Sequence, residues 1–175
     1  MTTENKQLFP IDQLATQFTE LLAKGGNMGM VYDYNKEDYD LLYALGHGMY
    51  TQGRYADAVK VFGYLNVMDP FERRFVNAYA ASLKMINQPA EAMKFYGMVS
   101  AMDMRDPLPT FHICDCMIAI GMVDEARSGL SIVVSQCQTP EQEPLKLRAQ
   151  ALLLLLEQAG PVGTPVSKPM TSTGA

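Results

Sequence analysis

A short passage of sequence that recurs every 34 residues is the strongest constraint on how this chain can fold. Asp57–Gly63 reads Asp-Ala-Val-Lys-Val-Phe-Gly, and Glu91–Gly97 repeats it as Glu-Ala-Met-Lys-Phe-Tyr-Gly. A third and weaker copy occupies Glu125–Leu130. Because self-similarity at a fixed period marks a stack of equivalent units, we expect the chain to fold as a repeat array.

The turn in front of each copy repeats at the same spacing. Gly53, Asn87 and Gly121 precede the three copies, and these residue types tolerate the left-handed backbone that a helix-ending turn often needs. A period of 34 residues is typical of the tetratricopeptide repeat, which consists of a helix A, a turn and a helix B. The sequence therefore predicts three such helix pairs.

Small residues stand where the two helices of each repeat are expected to cross closely, since a bulky side chain there would push them apart. These positions are Gly46, Ala80 and Cys114 in the A helices and Ala58, Ala92 and Ala126 in the B helices. We predict an all-α fold in which repeats at 39–72, 73–106 and 107–140 form a short right-handed superhelix. The match to the repeat pattern weakens along the chain.

The segments that flank the repeats also carry helical signals. Apolar residues recur at helical spacing after Pro10 and stop at Gly25-Gly26, which predicts an amino-terminal helix within residues 1–38. Asn35 is a plausible N-cap for the first repeat helix. Residues 141–158 are predicted to form a helix that caps the last repeat, and residues 159–175 are predicted to be disordered.

Composition and charge exclude several classes of protein. The chain has 175 residues, 48% of them apolar, and this suits one compact domain. A net charge of -5 with scattered Lys and Arg gives no basic surface for nucleic acid. Because the polar amino end lacks a secretory signal and no apolar run reaches membrane-spanning length, we expect a cytoplasmic location.

Catalytic and cofactor motifs are missing from the sequence. It has no phosphate-binding glycine loop, no Gly-x-Ser-x-Gly and no pair of histidines at metal-binding spacing. Cys114, Cys116 and Cys137 are interpreted as reduced, buried thiols, and residues two apart on a helix point too far apart for Cys114 and Cys116 to share a metal with His112. We therefore predict neither an enzyme nor a cofactor or metal.

The A helices of a tetratricopeptide array line its concave face, which forms a groove. If positions, here called slots, are counted from the first residue of each repeat, the side chains at slots 5, 9 and 12 point into this groove. Tyrosine and phenylalanine give a large contact area at small entropic cost, and polar groups nearby can pair with an extended peptide. The predicted groove residues are Tyr43, His47, Tyr50, Asn77, Ala81, Lys84, Phe111, Asp115 and Ile118. The alternative for the tyrosines is ordinary surface packing, and for His47 it is a solvated side chain without a role.

Five passages together resemble one family of proteins. They are Lys24-Gly25-Gly26, Leu42–Gly46, Gly53–Ala58, Lys60-Val61-Phe62 and Met102–His112, the last reading Met-Asp-Met-Arg-Asp-Pro-Leu-Pro-Thr-Phe-His. In this combination the chain resembles the class II chaperones of bacterial type III secretion systems, the tetratricopeptide chaperones of translocator proteins. The resemblance covers about residues 18 to 135.

The resemblance implies a cytoplasmic bacterial chaperone that keeps one or two hydrophobic translocators soluble before export. An extended segment near the translocator's amino end would lie in the concave groove. The family's groove tyrosines correspond to Tyr43 and Tyr50, while His47 stands where relatives often place an aromatic residue. Phe62 and Met68 also match family positions for client contact, although Phe62 doubles as a repeat-core residue.

The resemblance also implies other partners. Family members often dimerise through the amino-terminal helix, which makes Leu14, Phe18 and Leu21 candidates for a homodimer contact. Some members act with a transcriptional regulator. The tail beyond Ala159 has no counterpart in the family.

Two other classes of function compete with the chaperone hypothesis. A general adaptor that holds a terminal carboxylate would need Lys and Asn at slots 5 and 9 of the first A helix, where this chain has Tyr43 and His47. Adaptors for another linear peptide or a folded partner remain an alternative. An enzyme on a helical scaffold would need perturbed titrating groups in one groove, for which only His47, Lys84 and Asp115 are available.

Overall fold

Residue 20, residue 24 and residues 26–158 are described by a computed structural model of the chain. Leu14, Phe18 and Leu21, the candidates for a dimer contact, lie outside the described residues, as does the predicted tail at 159–175.

Within the described residues the chain is helical and contains no strand, which confirms the predicted fold class. The helices are α1 (Met28–Val31), α2 (Lys36–Thr51), α3 (Tyr55–Met68), α4 (Arg73–Met85), α5 (Pro89–Met102), α6 (Pro107–Ala119), α7 (Val123–Gln136) and α8 (Glu143–Gln158). A short 3-10 helix, Pro140–Gln142, precedes α8. The B helices α3, α5 and α7 begin 34 residues apart, and so do the A helices α4 and α6.

The helix ends follow the local signals in the sequence. Asn35 caps α2 through a capping box: its side chain accepts from the Asp38 backbone N–H at 2.9 Å, and the Asp38 carboxylate accepts from the Asn35 N–H at 3.1 Å. Gly53, Asn87 and Gly121 have φ of 77°, 61° and 86°, so the left-handed turns predicted after the A helices are confirmed.

The small-residue positions mark close helix crossings. A Cβ added at Gly46 in α2 would lie 2.8 Å from the Phe62 ring of α3, so this ring packs directly against the α2 backbone where only a glycine leaves room. The Ala58, Ala92 and Ala126 side chains are all fully buried. The sequence therefore identified where each helix meets its neighbour.

The chain divides into two compact units, Met1–Ile86 and Asn87–Ala175. The boundary lies between α4 and α5, inside the second predicted repeat. In the first unit α3 packs against both α2 and α4. Its core consists of Ala58, Phe62, Leu65 and Phe75, covered by half-buried residues of α2 and α4.

In the second unit the helices pack in chain order, α5 on α6, α6 on α7 and α7 on α8. The core includes Cys114, Leu130, Val133 and Ala149. Arg127 of α7 also donates a hydrogen bond from Nη2 to the Leu156 carbonyl of α8 at 2.5 Å. The helix predicted as a cap therefore covers the apolar side of α7.

Cys114, Cys116 and Cys137 are buried and unbridged, in agreement with the interpretation of reduced structural thiols. Among the helices of residues 26–158, none is both long and apolar enough to cross a membrane.

Candidate functional site

The predicted groove residues of α2 form one row along the helix. Tyr43, His47 and Tyr50 follow one another at spacings of four and three residues, so they share a helix face. The Tyr43 ring packs inward, with its centroid 5.5 Å from that of Phe62. His47 is exposed, and its ring stacks on that of Tyr43 with the two centroids 6.4 Å apart.

Tyr50 closes the row at the carboxyl end of α2. Its ring and that of Tyr55 in α3 are arranged edge to face, with their centroids 5.1 Å apart. Burial, and to a smaller extent the neighbouring Tyr55, raises the pKa of the Tyr50 hydroxyl. Tyr43 and Tyr50 are both half-buried, so each rests on the first unit's core and keeps part of its surface free for a partner.

The α4 row contains Asn77, Ala81 and Lys84. Asn77 is exposed, and Ala81 and Lys84 are half-buried. Their spacing repeats that of the α2 row 34 residues later. A contact between α2 and α4, with the Tyr43 and Phe75 ring centroids 6.0 Å apart, brings the two helices side by side.

Arg74 is a residue of this site that the sequence reasoning missed. Its Nη1 donates to Asp40 Oδ1 of α2 at 2.5 Å, and its guanidinium carbon lies 5.4 Å from the centroid of the Tyr43 ring. Asp40 and Arg74 are 34 residues apart and each stands three residues before the first groove residue of its helix, at slot 2. That shared slot was the available signal, but only the packing of α2 on α4 shows that the two side chains meet.

Phe62 and Met68 are buried residues of α3, 1% and 7% exposed. The Phe62 side chain supports the α2 row from below, since it contacts both Gly46 and Tyr43.

The predicted residues of α6 lie in the second unit and differ in exposure. Phe111 is 1% exposed in that unit's core, with the Arg148 guanidinium of α8 at 4.7 Å from its ring centroid. Asp115 is half-buried, and its Oδ2 lies 3.8 Å from Nδ1 of His112. Ile118 packs against the core. Phe111 is thus placed as a packing residue, and the more accessible predicted positions of α6 are Asp115 and Ile118.

The chemistry of the first unit's site suits binding. The α2–α4 face, which we define as Asp40, Tyr43, His47 and Tyr50 with Arg74, Asn77, Ala81 and Lys84, combines aromatic surface with donors and acceptors. Residues 26–158 contain no group of three His, Cys, Asp or Glu side chains placed to hold a metal ion. Such a face offers an extended peptide both apolar contact and partners for its main chain.

Comparison with known proteins identifies relatives of this chain. No protein-family model matches the sequence. The low calcium response locus protein H of Yersinia pseudotuberculosis is 31% identical over 142 residues, which cover 81% of this chain and 83% of that protein.

Solved structures that resemble this chain also come from type III secretion systems. A chain in a type III secretion complex from Aeromonas hydrophila superposes with a TM-score of 0.77 at 27% identity, covering 85% of this chain and 99% of that one. The type III secretion chaperone SycD of Yersinia enterocolitica, in complex with a peptide of the translocator YopD, gives a TM-score of 0.66 at 29% identity over 71% of this chain and 96% of SycD. The chain therefore belongs to the tetratricopeptide-repeat family of type III secretion translocator chaperones.

Proposed function

We propose that this chain is a bacterial cytoplasmic chaperone that keeps hydrophobic translocator proteins soluble before their export. It holds an extended segment near the client's amino end against the α2–α4 face. The observation that carries this proposal is the pair of half-buried tyrosines, Tyr43 and Tyr50, in one row on α2 beside the polar row of α4. Family membership and the YopD peptide bound to SycD support it.

The face has the features that recognition of an unfolded segment requires. Tyr43 and Tyr50 rest on the rigid core of the first unit, so little side-chain entropy is lost when a client packs on them. His47 and Asn77 are exposed polar side chains beside them, able to pair with peptide groups that would otherwise lose their hydrogen bonds to water. Aliphatic anchors of the client would pack on the exposed parts of the two tyrosine rings.

Other predicted parts of the mechanism belong to the same proposal. Asp115 and Ile118 are candidate client contacts of the second unit, while Phe62, Met68 and Phe111 are buried within their own units. We also propose that Leu14, Phe18 and Leu21 contribute to a homodimer contact and that the chain acts with a transcriptional regulator of secretion genes. The activity is binding, without a catalytic step.

The test is capture of the client by the full chain in the producing bacterium. Tyr43→Ala and Tyr50→Ala should each weaken client binding by about 2 to 4 kcal/mol if the tyrosines are hot spots, so that the translocator no longer co-purifies and precipitates. Tyr32→Ala is the matched control, because Tyr32 is 63% exposed and lies outside the α2–α4 face. Unchanged co-purification by the folded Tyr43 and Tyr50 variants would contradict the proposal.

A further inference from the structure

An ion pair at the amino-terminal end of the α2–α4 face joins its two helices. Arg74 Nη1 donates to Asp40 Oδ1 at 2.5 Å, and the Arg74 Nε lies 3.6 Å from Glu72 Oε1. The side chains of Arg74 and Asp40 are 37% and 46% exposed, so both reach solvent while paired. Asp40 and Arg74 precede Tyr43 and Asn77 by three residues, one helical turn along the same two rows.

The pair has hydrogen-bonding capacity left over. A guanidinium carries five N–H donors and a carboxylate accepts at about four positions, and the bond between Arg74 and Asp40 uses one of each. A donor and an acceptor side by side match the alternating C=O and N–H groups along an extended chain.

The surrounding groups hold Arg74 in one orientation. Its guanidinium carbon lies 5.4 Å from the Tyr43 ring centroid and 4.9 Å from that of Phe75, while Asp40 holds the outer edge. A side chain held in this way loses little entropy when it binds a partner. Because the Asp40 and Glu72 carboxylates together outweigh the charge of the guanidinium, the cluster has no positive charge with which to select an acidic client side chain.

We propose that Asp40 and Arg74 bind the main chain of the client segment, with Arg74 donating to a backbone carbonyl and Asp40 accepting from a backbone N–H. This inference rests on the proposed function of the α2–α4 face. Main-chain recognition does not depend on the client's side chains, so one pair can serve two translocators of different sequence. Tyr43 and Tyr50 then select apolar anchors, and the ion pair fixes the position of the backbone between the two helices.

The experiment uses the full chain and two fluorescent peptides, one from the amino end of the translocator captured with this protein and one from YopD. We expect Arg74→Gln and Asp40→Asn each to weaken binding of both peptides by about tenfold, the loss of roughly one hydrogen bond to a charged group. Arg54→Gln is the matched control, because Arg54 forms a comparable pair with Asp57 at 2.8 Å outside the face. Thermal unfolding establishes that each variant is folded.

A backbone ester scan of the captured peptide separates main-chain recognition from a merely structural role. Replacing an amide by an ester removes the N–H donor and weakens the carbonyl as an acceptor. We expect an ester at one position to weaken binding to the wild type and to have little further effect on the Arg74→Gln or Asp40→Asn variant.

Three results would overturn this inference. The first is that Arg74→Gln and Asp40→Asn bind the peptides with affinities within twofold of wild type. The second is that the ester substitutions weaken binding to both variants as much as they weaken binding to the wild type. The third is that the two variants lose affinity for only one of the two peptides. If Tyr43→Ala and Tyr50→Ala abolish binding while the ion-pair variants do not weaken it, the inference fails and the proposed function stands. If neither tyrosine variant weakens binding, the proposed function fails and this inference fails with it.

Discussion

Gly46 lies where α2 packs closely on α3, and we expect its small size to matter for stability. A Cβ at this position would meet the Phe62 ring at 2.8 Å, and Phe62 is itself fixed within the first unit's core. We expect Gly46→Ala to lower the free energy of unfolding by about 1 to 3 kcal/mol through overpacking. Urea denaturation measures this change.

Gly48 provides the matched control for Gly46, because it lies in the same helix and a Cβ there would meet nothing within 4 Å. Gly48→Ala should therefore raise the free energy of unfolding by about 0.5 to 1 kcal/mol, the usual difference in helix propensity. If the two substitutions had the same effect, the close crossing at Gly46 would be contradicted.

Cys114 is a buried thiol whose environment disfavours ionisation. Burial, with a smaller contribution from the Asp115 carboxylate, raises the pKa of the Cys114 thiol from 9.0 to about 11. Between these two values the unfolded chain releases a proton that the folded chain retains, so the free energy of unfolding falls as pH rises from about 9 to 11. Below pH 9 this group adds no pH dependence.

The thiolate is the reactive form of cysteine, so native Cys114 should react far more slowly with an aromatic disulfide reagent at pH 8 than the urea-unfolded chain does. Peptide mapping by mass spectrometry assigns the label to Cys114. Equal rates of labelling in the folded and unfolded chain would show that the site is open to solvent.

The helix α8 covers the second unit's core with one of its faces, and its leucines allow a comparison within one element. Leu152 and Leu156 pack against that core, whereas Leu154 and Leu155 are 58% and 60% exposed. We expect Leu152→Ala and Leu156→Ala each to cost about 1 to 2 kcal/mol of unfolding free energy, less than a fully buried leucine would.

Leu154→Ala and Leu155→Ala serve as controls and should change the unfolding free energy by no more than about 0.5 kcal/mol. All four variants remove the same atoms from the same helix, so helix propensity is closely matched. A similar loss for all four would mean that α8 does not pack in the orientation described.

The sequence predicted the helices well because their signals are local. Asn35 caps α2 with its own neighbour Asp38, and Gly53 needs only its own backbone to form the turn after α2. The periodic spacing then placed the small residues at the crossings. The caps and turns depend on a few consecutive residues and the crossings on the 34-residue period, so both could be found without knowledge of how the helices pack.

The candidate site was only partly predictable, because its details depend on contacts between distant helices. Arg74 meets Asp40 only when α4 lies beside α2. Phe111 occupies a slot that would face a groove, yet it is buried, and the Arg148 guanidinium of α8 lies over its ring. The repeat pattern describes helices A and B of an average unit and contains no information about such neighbours.

For the molecule as a whole, we propose that client binding is centred on the α2–α4 face of the first unit, residues Met1–Ile86. The first unit supplies both rows of that face, and the second unit is a separate stack of helices that ends in α8. The net charge of -5 offers no general attraction for acidic partners or nucleic acid. We therefore expect binding to depend on the specific surface that Tyr43 and Tyr50 present.

Site-specific photo-crosslinking in the producing bacterium tests this claim most directly. A benzophenone side chain is introduced at position 43, 50 or 32 of the full chain, and cross-linked partners are identified by mass spectrometry. We expect positions 43 and 50 to cross-link to the amino-terminal segment of a translocator and position 32 to give no such crosslink. Crosslinks to that segment from position 32 alone, or none from positions 43 and 50, would contradict it.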